Sequence, residues 1–437
     1  MNQTMEEGVV LTDPVQYSCE LVKLLRAAQS HVYYSSFTAH LDVALPGQDG
    51  VTLRRLFNEL GARGVALSIL YNPEVAYGNV PPAMFAAAVP HATVHTVTGS
   101  GALPACASYL VPNVRYSNHH QKYVCVDDAW FMLGGTDVTA DRSGWLQLNP
   151  SGYVWHEVAV VVECTPQMAY FVKVNFEQIQ VNPPFPLTRG LQEYCVVSHL
   201  VETARACIHM EAQTCITSKA TFNRLFDTVL RRLLKAFQEP GDPFCFMLLT
   251  NMVQADESAV ISWVTRQQLH WSRRYVRQRA AALGIPASFV KKRFFMGYME
   301  HAGKHIKVHS NLLIQDGQRM VRSSSNFNDR SWSMLPSDNE LGIALRGDVV
   351  ARAQQRLWRQ YFLHPPGSTK CYHPVEAFGA MCREEGVVRR ITFNGGVDDT
   401  VLPDCVVDGA MKLLYTGPWW GGKVKVEWQV QPVTRTG

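Results

Sequence analysis

His119-His120-Gln121-Lys122-Tyr123-Val124-Cys125-Val126-Asp127-Asp128-Ala129-Trp130-Phe131-Met132-Leu133-Gly134-Gly135-Thr136-Asp137 decides how the rest of the chain is read. It places His120, Lys122 and Asp127 in the spacing H-x-K-x4-D. The apolar run Tyr123 to Val126 leads into a strand, and Gly134-Gly135 opens a tight turn after the next one. Alternate residues of a strand share a face, so His120 and Lys122 point the same way, a nucleophile beside a cation. Asp127 falls off that face by parity. A lone H-x-K arises by chance in many chains, so the reading depends on a second copy.

The second copy lies between Lys304 and Glu340, and two registers fit it. His305-Ile306-Lys307 has the histidine and the lysine but ends on Leu312. His309-Ser310-Asn311 ends correctly on Asp316 but has Asn in place of Lys. The second register is preferred, because it alone gives the right distance to the small-residue turn Ser323-Ser324-Ser325 and to Asn326.

Three segments together resemble the phospholipase D superfamily, and within it the eukaryotic-type enzymes. They are His119 to Asp137 with its Gly-Gly-x-Asp turn; Glu211-Ala212-Gln213, similar to a Glu-Asn-Gln element; and Val308 to Glu340, with Asn326-x-Asn328-Asp329-Arg330-Ser331. Trp155-His156-Glu157 is similar to the Trp-His-Asp that follows the first motif in many relatives. The resemblance covers residues 13 to 362 and implies two lobes packed face to face around one phosphate. It implies that His120 attacks phosphorus and that His309 protonates the leaving alcohol and then activates water. Lys122 would hold phosphoryl oxygens, and Asn326 with Thr136 or Asp137 would add hydrogen bonds. Asp127 and Asp316 are expected to orient the site. Glu157 and Glu340 would each accept the Nδ1 proton of a catalytic histidine. Glu211 and Gln213 are candidates to line the substrate. Asn311 lacks the charge of a second lysine, and Lys307, two residues before His309, is a candidate stand-in. Charge-assisted hydrogen bonds are roughly twice as strong as neutral ones, so Asn311→Lys is expected to speed cleavage. Ser323 stands where relatives have Gly. The scheme uses no metal and no cofactor.

Composition agrees with a globular chain of 437 residues: 47% is hydrophobic and 18% charged, enough to build two or three domains. The net charge of +4 is too small to choose between anionic lipid and nucleic acid. Eleven cysteines without a C-x2-C pair argue against a structural zinc site. Most of them, Cys125, Cys164, Cys195 and Cys245 included, sit in apolar runs as expected buried thiols. The polar start lacks a signal-peptide core, and no apolar run reaches the ~20 residues of a membrane span. The sequence therefore reads as cytoplasmic and at most peripheral on a membrane.

Helical and strand periodicities alternate along the chain and predict an α/β protein. The expected organisation is an N-terminal lobe over 1–182 with the first motif, a Pro-rich linker, a second lobe over 190–365 with the degenerate motif, and a small β-rich appendage over 368–437. The two lobes should be related by a pseudo-two-fold axis. The long helix from Ser258 to Leu283, carrying Arg266, Arg273, Arg274, Arg277 and Arg279, reads as a solvated face, and Trp419-Trp420 as packing residues. The expected partner is a glycerophospholipid at a membrane surface. Two rivals stand beside that reading: a nuclease acting on nucleic acid, and a catalytically weak relative that binds phospholipid. Oligomeric state is not legible.

Overall fold

Two mixed sheets carry the molecule, and the two motifs lie on matching strands of them. The structure, a computed structural model, describes residues 8–72, 80–98, 119–142, 144, 146–147, 154–177, 182–215, 223–252, 259–332, 338–365, 367–391 and 429–432. The first sheet has eight strands. In spatial order they are Val9–Leu11, Ala159–Glu163, Trp130–Gly134, Tyr123–Val126, His31–Ser36, Ala66–Tyr71, Ala92–Thr98 and Gln429–Pro432. The second has ten. Nine form its main path: Val154–His156, Lys304–Val308, Phe294–His301, Cys245–Leu249, Cys207–Glu211, Leu312–Gln315, Arg319–Ser323, Gly342–Arg346 and Leu187–Thr188. Val388–Arg390 pairs with Phe294–His301 off that path.

Alternation along the motif strands divides the core into three. Tyr123, Cys125, Phe131 and Leu133 face inward with Leu312, Ile314, Met320 and Ile343. Helices Pro166–Phe176 and Asp348–Tyr361 join them in one core shared by both sheets. Val124, Val126 and Met132 face outward onto helices Pro14–Ala27 and Leu53–Ala62. Leu313, Val321 and Ala344 do the same against helices Gly190–Thr203 and Leu225–Gln238. A one-residue slip would turn either strand's apolar set to the wrong side, so the shared core fixes the height at which the motifs sit.

Backbone pairing confirms the second register. Gly134 N–H donates to the Lys122 carbonyl at 3.1 Å, and Ser323 N–H donates to the Asn311 carbonyl at 3.0 Å. Tyr123 pairs with Leu133 as Leu312 pairs with Arg322. His309 and Asn311 are therefore the counterparts of His120 and Lys122, and His305 is not.

Several expectations change. Residues 368–391 are not a β-rich appendage: Pro374–Cys382 is a helix and Val388–Arg390 joins the second sheet. Gln429–Pro432 pairs with Ala92–Thr98 of the first sheet. Trp419 and Trp420 lie outside the described residues, as does the Arg266 side chain. Val154–His156 is itself a strand, and it pairs with Lys304–Val308 in the second sheet although the chain around it builds the first. Pro82–Ala88 is a helix started by its proline. Cys195 is exposed.

Candidate active site

The two halves hold each other's histidines. His120 N–H donates to the Asn339 carbonyl at 3.0 Å, and His309 N–H donates to the His156 carbonyl at 2.9 Å. The next residue in each case is the glutamate that takes the histidine ring. His120 Nδ1 lies 2.9 Å from Glu340 Oε2, and His309 Nδ1 lies 3.0 Å from Glu157 Oε1. Each glutamate comes from the opposite half of the sequence, so the seam between lobes is closed by the groups that orient the imidazoles. An ionised carboxylate accepts the Nδ1 proton and leaves Nε2 of each ring for chemistry. The His120 side chain is 15% exposed and that of His309 8%, enough for a ligand to touch but not for bulk water to surround.

Lys122 is buried behind His120. Its Nζ donates to the His120 carbonyl at 3.1 Å, pairs with Asp137 Oδ2 at 3.7 Å and sits 5.2 Å from the centre of the Phe37 ring. Burial pushes this ammonium below its ordinary pKa, against the pull of Asp137, Glu340 and Glu157. Asp137 is tied to the Ser36 hydroxyl and the Thr38 amide. Its counterpart Asn326 is half-buried, with Oδ1 lacking a protein partner, and so is the Thr136 hydroxyl. The Thr136 hydroxyl can donate to a ligand oxygen, whereas Asn326 Oδ1 only accepts and the residue would donate through Nδ2. Gly135 admits no side chain. A Cβ there would stand 2.5 Å from both Arg322 Nη2 and Glu157 Oε2 and 2.9 Å from the His309 carbonyl.

The environments of the two glutamates differ. Glu340 is held by hydroxyls, from Ser324 at 2.6 Å and Ser331 at 2.9 Å. No Lys or Arg stands within ion-pair distance of it among the described residues. Glu157 is met by Arg142, whose Nε is 3.2 Å from Oε1, and its charge is further balanced by fully buried Arg322. Burial alone would raise the Glu157 pKa, but His309, Arg142 and Arg322 hold it below the usual carboxylate value. Burial pushes His309 below its ordinary value; Glu157 opposes this, while Arg142 and Lys122 add to it. Burial lowers the Arg322 guanidinium to about 10, and its Nε donates to the Val158 carbonyl across the seam at 2.7 Å.

Three of the residues proposed from sequence, Asp127, Asp316 and Glu211, are taken up by the protein's own donors. Asp127 accepts from the amides of Gln29, Ser30 and His31, and Asp316 from those of Arg205, Ala206 and Cys207. Both sit in left-handed turns at the far ends of their strands, about 20 Å from the histidines at ~3.3 Å per residue. They tie the motif strand to its neighbour and do not orient an imidazole. Glu211 lines no substrate surface: it is fully buried, accepts from His156 Nε2 at 2.7 Å and from the Ser310 hydroxyl, and lies 3.2 Å from His209 Nε2. Gln213 contributes backbone, its amide donating to Asn311 Oδ1 at 2.8 Å and its carbonyl accepting from Asn251.

Asn311 is adapted to its place. Its φ of 41° is left-handed, a conformation that Asn tolerates and Lys does not favour. Its Nδ2 donates to the Ser324 carbonyl at 3.5 Å, and the residue is 2% exposed. A lysine here would have to adopt this left-handed φ and give up the Asn311 bonds to Gln213 and Ser324, which weighs against the expectation that Asn311→Lys speeds cleavage. Lys307 lies over the Trp155 ring at 4.2 Å, and that ring packs on His309 in a T-shaped pair. Ser323 is accommodated: its hydroxyl donates to Glu193 Oε2 at 2.7 Å.

Arg142, Arg322, Glu193, Ser324 and Ser331 escaped the sequence reading. Arg142 follows the Gly-Gly-x-Asp turn closely enough to have been suspected. Arg322 and Glu193 carried no signal, since a fully buried charge is not visible in a one-dimensional pattern.

No protein-family model matches the chain. Human phospholipase D1 is 26% identical over 168 residues, which is 34% of this chain and 15% of the human protein, a small part of that relative's length. Among solved structures, the phosphatidylserine synthase of Haemophilus influenzae superposes with a TM-score of 0.56 at 10% identity, over 95% of this chain and 93% of that one. The polyphosphate kinase of Porphyromonas gingivalis gives a TM-score of 0.48 at 8% identity, over 86% and 55%. Structural likeness at such identities speaks of the fold alone. Two histidine motifs on matching strands, the two-sheet fold and the sequence match to the human protein converge on one likeness: the chain resembles the phospholipase D superfamily.

Proposed function

We propose that the chain is a phospholipase D-type phosphodiesterase that transfers the phosphatidyl group of a glycerophospholipid to water or an alcohol through a phosphohistidine. The observation that carries this reading is the crossed pair of histidines, each with Nδ1 on a glutamate of the other half. His120 Nε2 attacks phosphorus, and the headgroup oxygen leaves with the Nε2 proton of His309. Neutral His309 then takes a proton from water or alcohol, whose oxygen attacks phosphorus and releases His120. Buried Lys122 supplies positive charge where the phosphoryl oxygens gather charge in the transition state. Thr136 and Asn326 offer neutral hydrogen bonds. The names of human phospholipase D1 and of the bacterial phosphatidylserine synthase support a phospholipid substrate. Among the described residues no helix is long and apolar enough to cross a membrane.

The test is incubation with mixed-phospholipid vesicles containing a primary alcohol and, separately, with single-stranded DNA. Phosphatidyl-alcohol formed by the parent and absent with His120→Ala supports the proposal. DNA cleavage without lipid turnover would replace it with the nuclease reading. Vesicle binding without turnover of either would replace it with a phospholipid-binding role.

A further inference from the structure

Arg142 belongs to neither histidine motif, yet it reaches the second imidazole from the first lobe. Its guanidinium stacks on Trp155, 3.4 Å from the ring centre. That ring packs on His309 in a T-shaped pair, with ring centres 5.2 Å apart and planes at 82°. Arg142 Nε stands 3.2 Å from Glu157 Oε1, the oxygen that accepts from His309 Nδ1. Its N–H is off the hydrogen-bond axis there, so the contact is one of charge. Nη1 is anchored on Asp141 at 2.8 Å, and the side chain is 6% exposed. Ring, carboxylate and anchor together leave the guanidinium little freedom. At the corresponding point of the other half, Glu340 meets, besides His120, the Ser324 and Ser331 hydroxyls, and among the described residues no guanidinium stands within ion-pair distance of it.

The physical consequence follows from sharing one oxygen. A carboxylate whose charge is partly satisfied by a guanidinium holds an imidazolium less strongly, and the guanidinium repels that imidazolium directly. Both effects act in the same direction. The charged groups that face His309 are Glu157, Arg142 and Lys122, with Lys307 above Trp155 and Arg322 behind Glu157. Of these, Arg142 alone touches both the glutamate and the aromatic that bracket the ring.

We propose that Arg142 is a positioning residue for His309, making that imidazole the readier proton donor of the pair through the shared Glu157 oxygen. Its part in turnover rests on the phosphodiesterase reading; its hold on His309 does not. The test therefore begins with a readout that needs no activity. The full chain, labelled with 13C at histidine Cε1, is titrated by NMR as parent, R142M, R142Q and R142K, with H309Q to assign the His309 resonance. R142M and R142Q should raise the His309 midpoint by about one pH unit, leave the His120 midpoint in place, and R142K should restore most of the parent value. In pH–rate profiles the alkaline limb should rise by the same amount with KM little changed. R142M and R142Q are independent routes to an uncharged residue, so one folded variant suffices. A His309 midpoint unmoved in a folded variant overturns the proposal, as does a raised KM with a fixed alkaline limb, which would make Arg142 a substrate-binding group. A parent that cleaves no phosphodiester but shows the shift would sink the functional reading and support this one.

Discussion

His120 with Glu340 and His309 with Glu157 are the same device built twice, in different electrostatic company. The backbone clamp is nearly identical, with amide-to-carbonyl distances of 3.0 and 2.9 Å on the residue before each glutamate. The surroundings are not alike. Glu340 meets Ser324 and Ser331, whereas Glu157 meets Arg142 and has Arg322 behind it. Lys122 has its counterpart in neutral Asn311, and Gly134 has its counterpart in Ser323. A repeated fold thus fixes where two imidazoles stand, while side chains that pattern reading does not see decide how each behaves. The hydroxyl-lined pair suits a nucleophile, and the cation-balanced pair suits a group that must release and recover a proton.

The largest expected effect tests whether the halves have separate roles at all. His120→Ala should lower phosphodiester turnover by about 10^4-fold, the scale of losing a nucleophile with its positioned partner. Turnover within tenfold of parent, measured on purified protein with a thermal melt as control, would remove His120 from the role.

The glutamates should then separate activity from stability. Glu340→Gln and Glu157→Gln each remove a carboxylate that sets a histidine tautomer, with an expected loss of about 10^3 to 10^4-fold in kcat. Glu157→Gln also takes a carboxylate from Arg142, which keeps Asp141, and from buried Arg322, at a cost of about 3 kcal/mol. Glu340→Gln leaves hydroxyls that can turn to new partners and should cost about 1 kcal/mol. Urea melts giving equal losses for the two variants would erase the contrast.

Glu193 sharpens the comparison through pH. It is fully buried against Ser323, Thr188 and Trp332, and burial raises its pKa to about 7, above the unfolded value near 4.5. The unfolded chain therefore loses this proton first, and stability falls as pH rises from 4.5 to about 7 and is level beyond. Glu193→Gln should match the parent at pH 4.5 and exceed it at pH 8 by up to about 3 kcal/mol. A variant less stable than parent at pH 8 would mean that burial does not raise the Glu193 pKa.

Asn311→Lys is the smallest. Lysine must take a left-handed φ and leave the Gln213 amide without its acceptor, at a cost of about 2–3 kcal/mol. A folded variant that cleaves faster than parent would reinstate Asn311 as a missing cation.

Much of this was legible in sequence. The H-x-K spacing, the Gly-Gly turn and the choice of His309 over His305 follow from strand parity and loop length, which are local. The crossing of Glu157 and Glu340 was legible only as a role, because which histidine each one meets depends on how the lobes face. Asp127 and Asp316 misled because spacing gives distance along a strand and not its direction: the strand carries them away from the site, to cap amides of a neighbour. The left-handed backbone of Asn311 was not legible, and it breaks the alternation on which the argument for a lysine rested. Glu211 is the last residue of its strand, where a core carboxylate and a ligand-lining one look the same until His156 and Ser310 are seen to occupy it.

The central claim is that His120 bonds covalently to phosphorus while His309 moves protons. It is tested most directly by a burst experiment on a phosphodiester with a p-nitrophenyl leaving group, which departs without an acid. His309→Gln should release about one equivalent of nitrophenolate per protein and then stall. Mass spectrometry after a non-acidic quench should find the adduct on His120. His120→Gln should give no burst. A burst from His120→Gln, or an adduct carried by His309, would contradict the account.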